Sequence, residues 1–387
     1  MLRPYKLALG KTFCTYSHSF FEETLADTLT DILIIGGGII GLSLAIELKL
    51  RGANVTILNR DCQEAGARAA AGMLAPQAEK IPPSPMLDLC LQSRALYPKW
   101  ISKLEAISEL TAGYWPCGIL SPIYQEEKIV YNQQSTLKSE WLDQDAIHQF
   151  QPGLGAEVIG GWWYPDDGQV DNRALFKTLQ VVARKLKIDI YEELAQEIVR
   201  RDRQVLEVKT FSRKFQANHY LLATGAWSND LLPIAVYPKK GQMLSVCLPY
   251  PCARERLPLQ KVLFGDEIYI VPRQDGRIVI GATSENVGFT SGNTPSGMKA
   301  LLTRAIRIYP ELQHYPIQEF WWGFRPETPD ELPILGSSYW DNLTFATGHY
   351  RNGILLAPIT AMMIADLIEQ QKSDPLLTYF HYGRTFM

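Results

Sequence analysis

A chain of 387 residues exceeds one minimal core and predicts two or three structural units. Its 46% hydrophobic and 20% charged residues are ordinary for a globular protein, which sets aside disorder and fibrous repeats, and a net charge of -3 supplies no overall basic field for nucleic acid or an anionic membrane. Every long apolar stretch is broken by Gly, Pro or a charge before the roughly 18 residues of a membrane helix, so no span is expected.

Residues 1–30 carry Arg3, Lys6 and Lys11 and no acid before Glu22, without the apolar run and cleavage site of a secretory signal. They are expected to form a loose N-terminal extension with organised structure beginning at Asp31, and an organellar targeting role for them stays open. Ile32 to Ile35 then reads as a short apolar strand, three glycines follow, and an apolar helix runs from about Ile39 to Leu50 before a second strand at Ala53 to Leu58. This is a parallel strand–helix–strand unit.

Gly36-Gly37-Gly38-Ile39-Ile40-Gly41 satisfies G-x-G-x-x-G at the turn of that unit. Gly36 allows the tight turn, Gly38 lets backbone approach a pyrophosphate, Gly41 lets helix pack close to sheet, and the helix N-terminus favours the anion. The acid expected near the ribose hydroxyls is replaced by Asn59, a neutral hydrogen-bonding group, with Asp61 a poorly placed substitute. The small-residue run Ala67 to Pro76 next suits either close packing or a loop whose amides lie against a flat ring system.

Further along, residues 84–110 read as helix, Gly118 to Tyr124 as strand and Asn172 to Leu186 as helix before a strand near Ile188 to Tyr191. Gln204 to Thr210 with Arg213 to Ala217 forms an antiparallel excursion, and His219 to Ala223 a strand ending in the turn Thr224-Gly225 ahead of Trp227. Gln242 to Leu248 alternates like a half-buried strand, and Asp275-Gly276 joins Tyr269–Arg273 to Ile278–Ala282 as a hairpin. Leu343 to Ala346 is a strand, Thr347 to Gly353 a Gly-rich turn, and Ile354 to Gln370 an apolar helix whose positive end would face developing negative charge. Parallel-type units at both ends and near residue 220, with antiparallel signals between, predict an α/β chain: a Rossmann-like nucleotide-binding domain from separated segments and an inserted, sheet-based domain.

The six cysteines (Cys14, Cys62, Cys90, Cys117, Cys247 and Cys252) and six histidines are scattered without metal-ligand spacing, so no metal is assigned, and reduced thiols point to a cytoplasmic protein. No zinc-hydrolase, serine-hydrolase or P-loop string occurs.

Together "AAAGMLAPQAE" (Ala69 to Glu79), "YIVPR" (Tyr269 to Arg273) with "GAT" (Gly281 to Thr283), "WGFRPETPD" (Trp322 to Asp330) and "GHYRNGILLAP" (Gly348 to Pro358) make the chain resemble the D-amino acid oxidase superfamily of flavoproteins over about Asp31 to Gln370, most closely its glycine oxidase branch, associated with making the thiamine thiazole ring. The resemblance implies an FAD domain (31–95, 151–228 and 324–387) and a substrate domain (96–150 and 229–323) whose mixed sheet covers the flavin. The implied FAD-binding residues are Gly36, Gly38, Ile39, Ile40, Gly41, Asn59, Ala70, Ala71, Gly72, Met73, Ile198, Thr224, Gly225, Trp227, Arg351, Asn352, Gly353, Ile354 and Leu355. Substrate binding is implied for Arg325, Tyr269 and Arg351: a guanidinium fork matches a carboxylate, and a phenol adds a neutral donor. Position 323, near where the sarcosine oxidase branch tethers its flavin through cysteine, is Gly323, which implies non-covalent FAD. Ser284 stands where glycine oxidase can carry methionine and implies a more polar or larger pocket.

The implied activity is oxidative deamination of glycine, sarcosine or a small D-amino acid, with O2 as acceptor and no side-chain base assigned. Alternatives are a dehydrogenase of the same fold passing electrons to a quinone or protein carrier and, further off, a non-catalytic flavoprotein subunit. The pairs Trp162-Trp163 and Trp321-Trp322 suit core, pocket wall or subunit contact, which leaves a homo-oligomer open.

Overall fold

A computed structural model describes residues 27–61, 64–125, 137–249, 257–265 and 267–386. The first strand, Asp27–Ile35, lies parallel to Val55–Leu58, with Ile32 to Ile35 opposite Val55 to Leu58, and the helix Ile39–Leu50 crosses over between them. Leu33, Ile34 and Ile57 are fully buried because helices and loops cover both faces, which is why these strands read as continuous apolar runs. The strand begins at Asp27, ahead of the expected Asp31: residues 27–30 pair with Lys214 to Ala217, a partner distant in sequence. The remainder of the N-terminal extension, with Cys14, lies outside the described residues, as do Cys62 and Cys252.

The first sheet has eight strands. Its path runs Glu197–Arg201, Gln204–Lys209, Lys214–Leu222, Asp27–Ile35, Val55–Leu58, Asp189–Tyr191, and Leu343–Thr347 adds parallel to Lys214–Leu222 while pairing with Ile334–Ser337. Helices Ile39–Leu50, Pro85–Ser108, Asn172–Lys185 and Gly353–Gln370 share one core on its face. By length and composition Gly353–Gln370 is apolar enough to cross a membrane, and 61% of it is buried inside the protein. Packing against Ile39–Leu50 and Pro85–Ser108 accounts for that apolarity.

The second sheet, also eight-stranded, runs Ile317–Glu327, Tyr237–Cys247, Arg277–Gly281, Ile268–Pro272, Val262–Gly265, Ile119–Ile123, Gly160–Tyr164, Glu140–Asp143. Helix Pro295–Ile308 packs Leu301, Ala305 and Ile308 onto it. A small sheet of Met73–Leu74, Gly168–Val170 and Tyr114–Trp115 joins the two halves.

The halves divide the chain differently from the expected boundaries. Helix Pro85–Ser108 runs unbroken through 95/96, started by Ser84, whose hydroxyl accepts from the Leu87 N–H, and by Pro85. Its apolar face packs wholly into the first core. Gly160–Tyr164, expected with the nucleotide-binding segments, pairs with Ile119–Ile123 in the second sheet, and Ile317–Glu327 spans the expected break at 323/324.

Candidate active site

A cavity of about 660 Å3 lies between the two sheets. At the first sheet its wall is mostly backbone. Gly36 has φ +113, and a Cβ there would stand 2.4 Å from the Ala223 carbonyl oxygen; a Cβ on Gly41 would stand 1.8 Å from that of Gly36. Gly41 therefore packs beneath the turn and away from the cavity, whereas nothing lies within 4 Å of a Cβ on Gly38, which opens onto it.

Helices Ile39–Leu50 and Gly353–Gln370 both start at this cavity without a side-chain cap or an acid in the first turn. Their unsatisfied N–H groups and dipoles favour anionic or electron-rich atoms. The Asn59 Oδ1 accepts the Gly37 N–H at 2.9 Å, so its carbonyl braces the glycine turn and its amide donor is left for a ligand. Asp61 stands exposed on the cavity wall.

The small-residue run lies along the cavity floor as the short helix Gly66–Ala69 followed by Ala70 to Met73. Asn172 donates to the Ala67 and Arg68 carbonyls, Trp321 Nε1 to that of Ala69 at 3.0 Å, and Arg273 to that of Ala71 at 2.8 Å. Arg273 is 3% exposed and also reaches Gln169 and Val170; burial, offset in part by Asp171, lowers its guanidinium to about 10. This buried arginine holds the loop in shape, a role that its place in the "YIVPR" string did not reveal. A Cβ at Gly323 would meet that of Ala69 at 2.3 Å, so close packing alone requires glycine there.

The second sheet closes the cavity with side chains. Arg325 extends from the edge strand over its neighbour, where a Cβ on Gly241 would lie 2.6 Å from Nη1, and Nη1 donates to the Thr283 carbonyl at 3.1 Å. The Tyr269 ring lies over Gly281, whose Cβ would meet the phenol oxygen at 2.8 Å. Burial raises the Tyr269 phenol and keeps it a neutral donor, with Arg325 acting against that shift. Two glycines thus form the floor on which a guanidinium and a phenol lie flat. Arg351 reaches the cavity from the glycine turn and donates to the Tyr350 hydroxyl at 3.2 Å; Ser284 lines the wall nearby.

Most of the expected residues meet at this one cavity: Gly36, Gly38, Ile39, Ile40, Asn59, Ala70, Ala71, Gly72, Met73, Thr224, Gly225, Trp227, Tyr269, Arg325, Arg351, Gly353 and Ile354. Four do not line it: Gly41, which packs beneath the turn, and Ile198, Asn352 and Leu355. Ile198 is buried in the core on the far face of the first sheet with Val208 and Phe215, Leu355 packs into the helical core, and Asn352 stands at the start of the helix, between the lining residues Arg351 and Gly353, with its side chain making no cap hydrogen bond. Of the tryptophan pairs, Trp321 braces the loop, Trp162 lines a neighbouring cavity and Trp322 is 39% exposed.

A family model described as DAO, FAD-dependent oxidoreductase, matches residues 31–367. The chain belongs to this family of FAD-dependent oxidoreductases. The bifunctional protein ThiO/ThiG of Trichormus variabilis is 59% identical over 359 residues, covering 92% of this chain and 55% of that protein. The chain thus spans about half the length of the bifunctional relatives it matches. Glycine oxidase of Geobacillus kaustophilus is 34% identical over 359 residues, 89% of this chain and 94% of its own. The crystal structure of that glycine oxidase aligns with TM-score 0.87 at 31% identity over 93% of this chain and all of the other. The mixed α/β fold is that of these flavoproteins. The open Gly38, the uncapped helix starts and the free amide donor of Asn59 fit the phosphates and ribose of FAD.

Proposed function

We propose that the chain oxidises glycine, or another small amino acid such as sarcosine or a small D-amino acid, to an imine that water hydrolyses to glyoxylate and ammonia. The observation that carries this reading is the pairing of Arg325 and Tyr269 over their two glycines at the end of the cavity opposite the nucleotide-binding turn. Arg325 presents a fork to the substrate carboxylate and Tyr269 adds a neutral donor, so the α-carbon is fixed while a small side chain is all the space requires. Arg351 adds positive charge at the glycine turn. FAD, held against this wall, would supply the hydride acceptor, with O2 as the final electron acceptor.

FAD is held by the backbone of the two helix starts and by the Ala70 to Met73 loop, without a covalent bond, since position 323 carries no thiol. The names ThiO/ThiG and glycine oxidase among the relatives support the substrate, and the resemblance supports delivery of the product to thiazole formation. Cys90, Cys117 and Cys247 are free thiols, which favours a cytoplasmic site of action. The test is anaerobic bleaching of the purified yellow protein by glycine, sarcosine and small D-amino acids, followed by peroxide release on admitting air. Failure of every amino acid to bleach the flavin refutes the proposal.

A further inference from the structure

Several acids line the cavity, and Glu64, Glu193 and Glu267 each pair with an arginine: Arg60, Arg213 and Arg304. Half-buried Glu79 differs. Its carboxylate has no hydrogen-bond or ion-pair partner among the described residues, yet it lines the cavity and interacts electrostatically with both Arg351 and Arg325.

A zwitterionic amino acid whose carboxylate sits on Arg325 and Tyr269 must hold its ammonium one carbon away, in the same end of the cavity. An ammonium has no lone pair to form a C=N bond, so a proton must leave before the α-hydrogen does. The geometry points to Glu79 as the catalytic residue that takes this proton. The N–H bond breaks with its electron pair left on nitrogen, and an O–H bond forms on Glu79. That pair then closes the C=N bond while the α-hydrogen leaves with two electrons to the oxidant that the family's FAD supplies. This inference rests on the amino acid oxidase reading and adds the base that the sequence did not offer.

A second cavity of about 420 Å3 touches Glu79 as well. Ser121 and Tyr124 line it, and their buried hydroxyls have no protein partner. This roomy space, with its two unpartnered hydroxyls, suits water and gives the proton a way out apart from the substrate. The charged and titratable neighbours are Arg351 from the glycine turn, Arg325 from the edge strand, Tyr269 from the hairpin, Asp167 from the turn before Gly168–Val170 and Cys90 from the helix below, with Glu267 and Arg304 on the shared wall. Burial raises the Glu79 carboxyl to about 7, opposed by Arg351, helped by Asp167 and opposed by Arg325. It therefore exchanges protons near neutrality, as a general base should.

The experiment compares pH profiles of kcat/KM for glycine in the FAD-loaded parent, Glu79→Gln and Glu79→Asp. Glu79→Gln is expected to lose on the order of 100-fold at pH 7 and to converge on the parent at alkaline pH, where glycine arrives as the neutral amine. Glu79→Asp should recover part of the loss. Glycolate, a carboxylate without an amine, should bind Glu79→Gln at least as tightly as the parent by flavin absorbance, showing an intact pocket. The inference is overturned if Glu79→Gln stays within a few-fold of the parent at pH 7, or if its loss is the same at every pH. A parent inert to every amino acid would instead overturn the functional reading, and this inference with it.

Discussion

At the first sheet the cavity wall is glycine, alanine and helix N-termini, so the ligand meets backbone; at the second sheet it meets a guanidinium, a phenol and a carboxylate brought together from three separate segments. The backbone end is insensitive to most side-chain identities and intolerant of a single added Cβ. The side-chain end depends on a few functional groups, and on glycines that leave room for them. On the proposed reading, specificity for the cofactor and specificity for the substrate thus reside in different kinds of chemistry within one space.

Gly41→Ala should have the largest effect, because its Cβ would fall 1.8 Å from a backbone oxygen that cannot move away alone. A loss on the order of 5 kcal/mol, seen as flavin-free or unfolded protein in thermal melts, is expected. Arg325→Ala should leave flavin content intact and cost about 2–5 kcal/mol of transition-state binding, roughly 30-fold to several thousand-fold in kcat/KM for glycine. Arg325→Lys should recover only part, since an ammonium lacks the planar fork. If Arg325→Ala keeps parental kcat/KM, the carboxylate site belongs to Arg351.

Acid should weaken the backbone end first. His219 and His349 both lie in the first half, and burial lowers them to about 4 and about 3. The unfolded chain takes up these protons below pH 6.5 while the folded protein does not, so stability is full above that pH and falls as pH drops toward 4. The slope should approach ~1.4 kcal/mol per pH unit per histidine, and His219→Gln should shallow it in urea titrations. Gly241→Ala should act more gently: its Cβ displaces only the mobile end of Arg325, raising KM by roughly 10-fold, or about 1.4 kcal/mol. The smallest effect is expected of Asn59→Asp. One carboxylate oxygen keeps the Gly37 N–H while the other becomes a charged acceptor for the ribose, tightening FAD by about 1 kcal/mol in apoprotein titration.

The contrast also decides what the sequence could disclose. The glycine turn was legible because strand, turn and helix are consecutive and each glycine answers a local steric demand. Arg325, Tyr269 and Arg351 carried no such local signal and emerged through resemblance. Glu79 closes a quoted motif, yet its lack of a partner depends on what faces it from other strands, and no spacing encodes that. Gly241 and Gly281 look like ordinary strand glycines until the cross-strand register places Arg325 and Tyr269 over them. Ile198 and Leu355 belong to elements that border the site, with side chains pointing into the cores behind it.

The first strand pairs with Lys214–Leu222, which pairs in turn with Leu343–Thr347, and the second helix start at the cavity is Gly353. On the ribosome, then, the nucleotide-binding turn at Gly36 emerges more than 300 residues before the last part of its own binding site. A nascent chain holds that turn without its central partner strand until residue 222 and without the closing helix until residue 370. Such long-range closure is slow, and apolar strands stay open to wrong pairings meanwhile. FAD can act as a folding ligand only once synthesis has passed Gly353, so its supply governs the yield of the folded domain rather than the early steps of its folding.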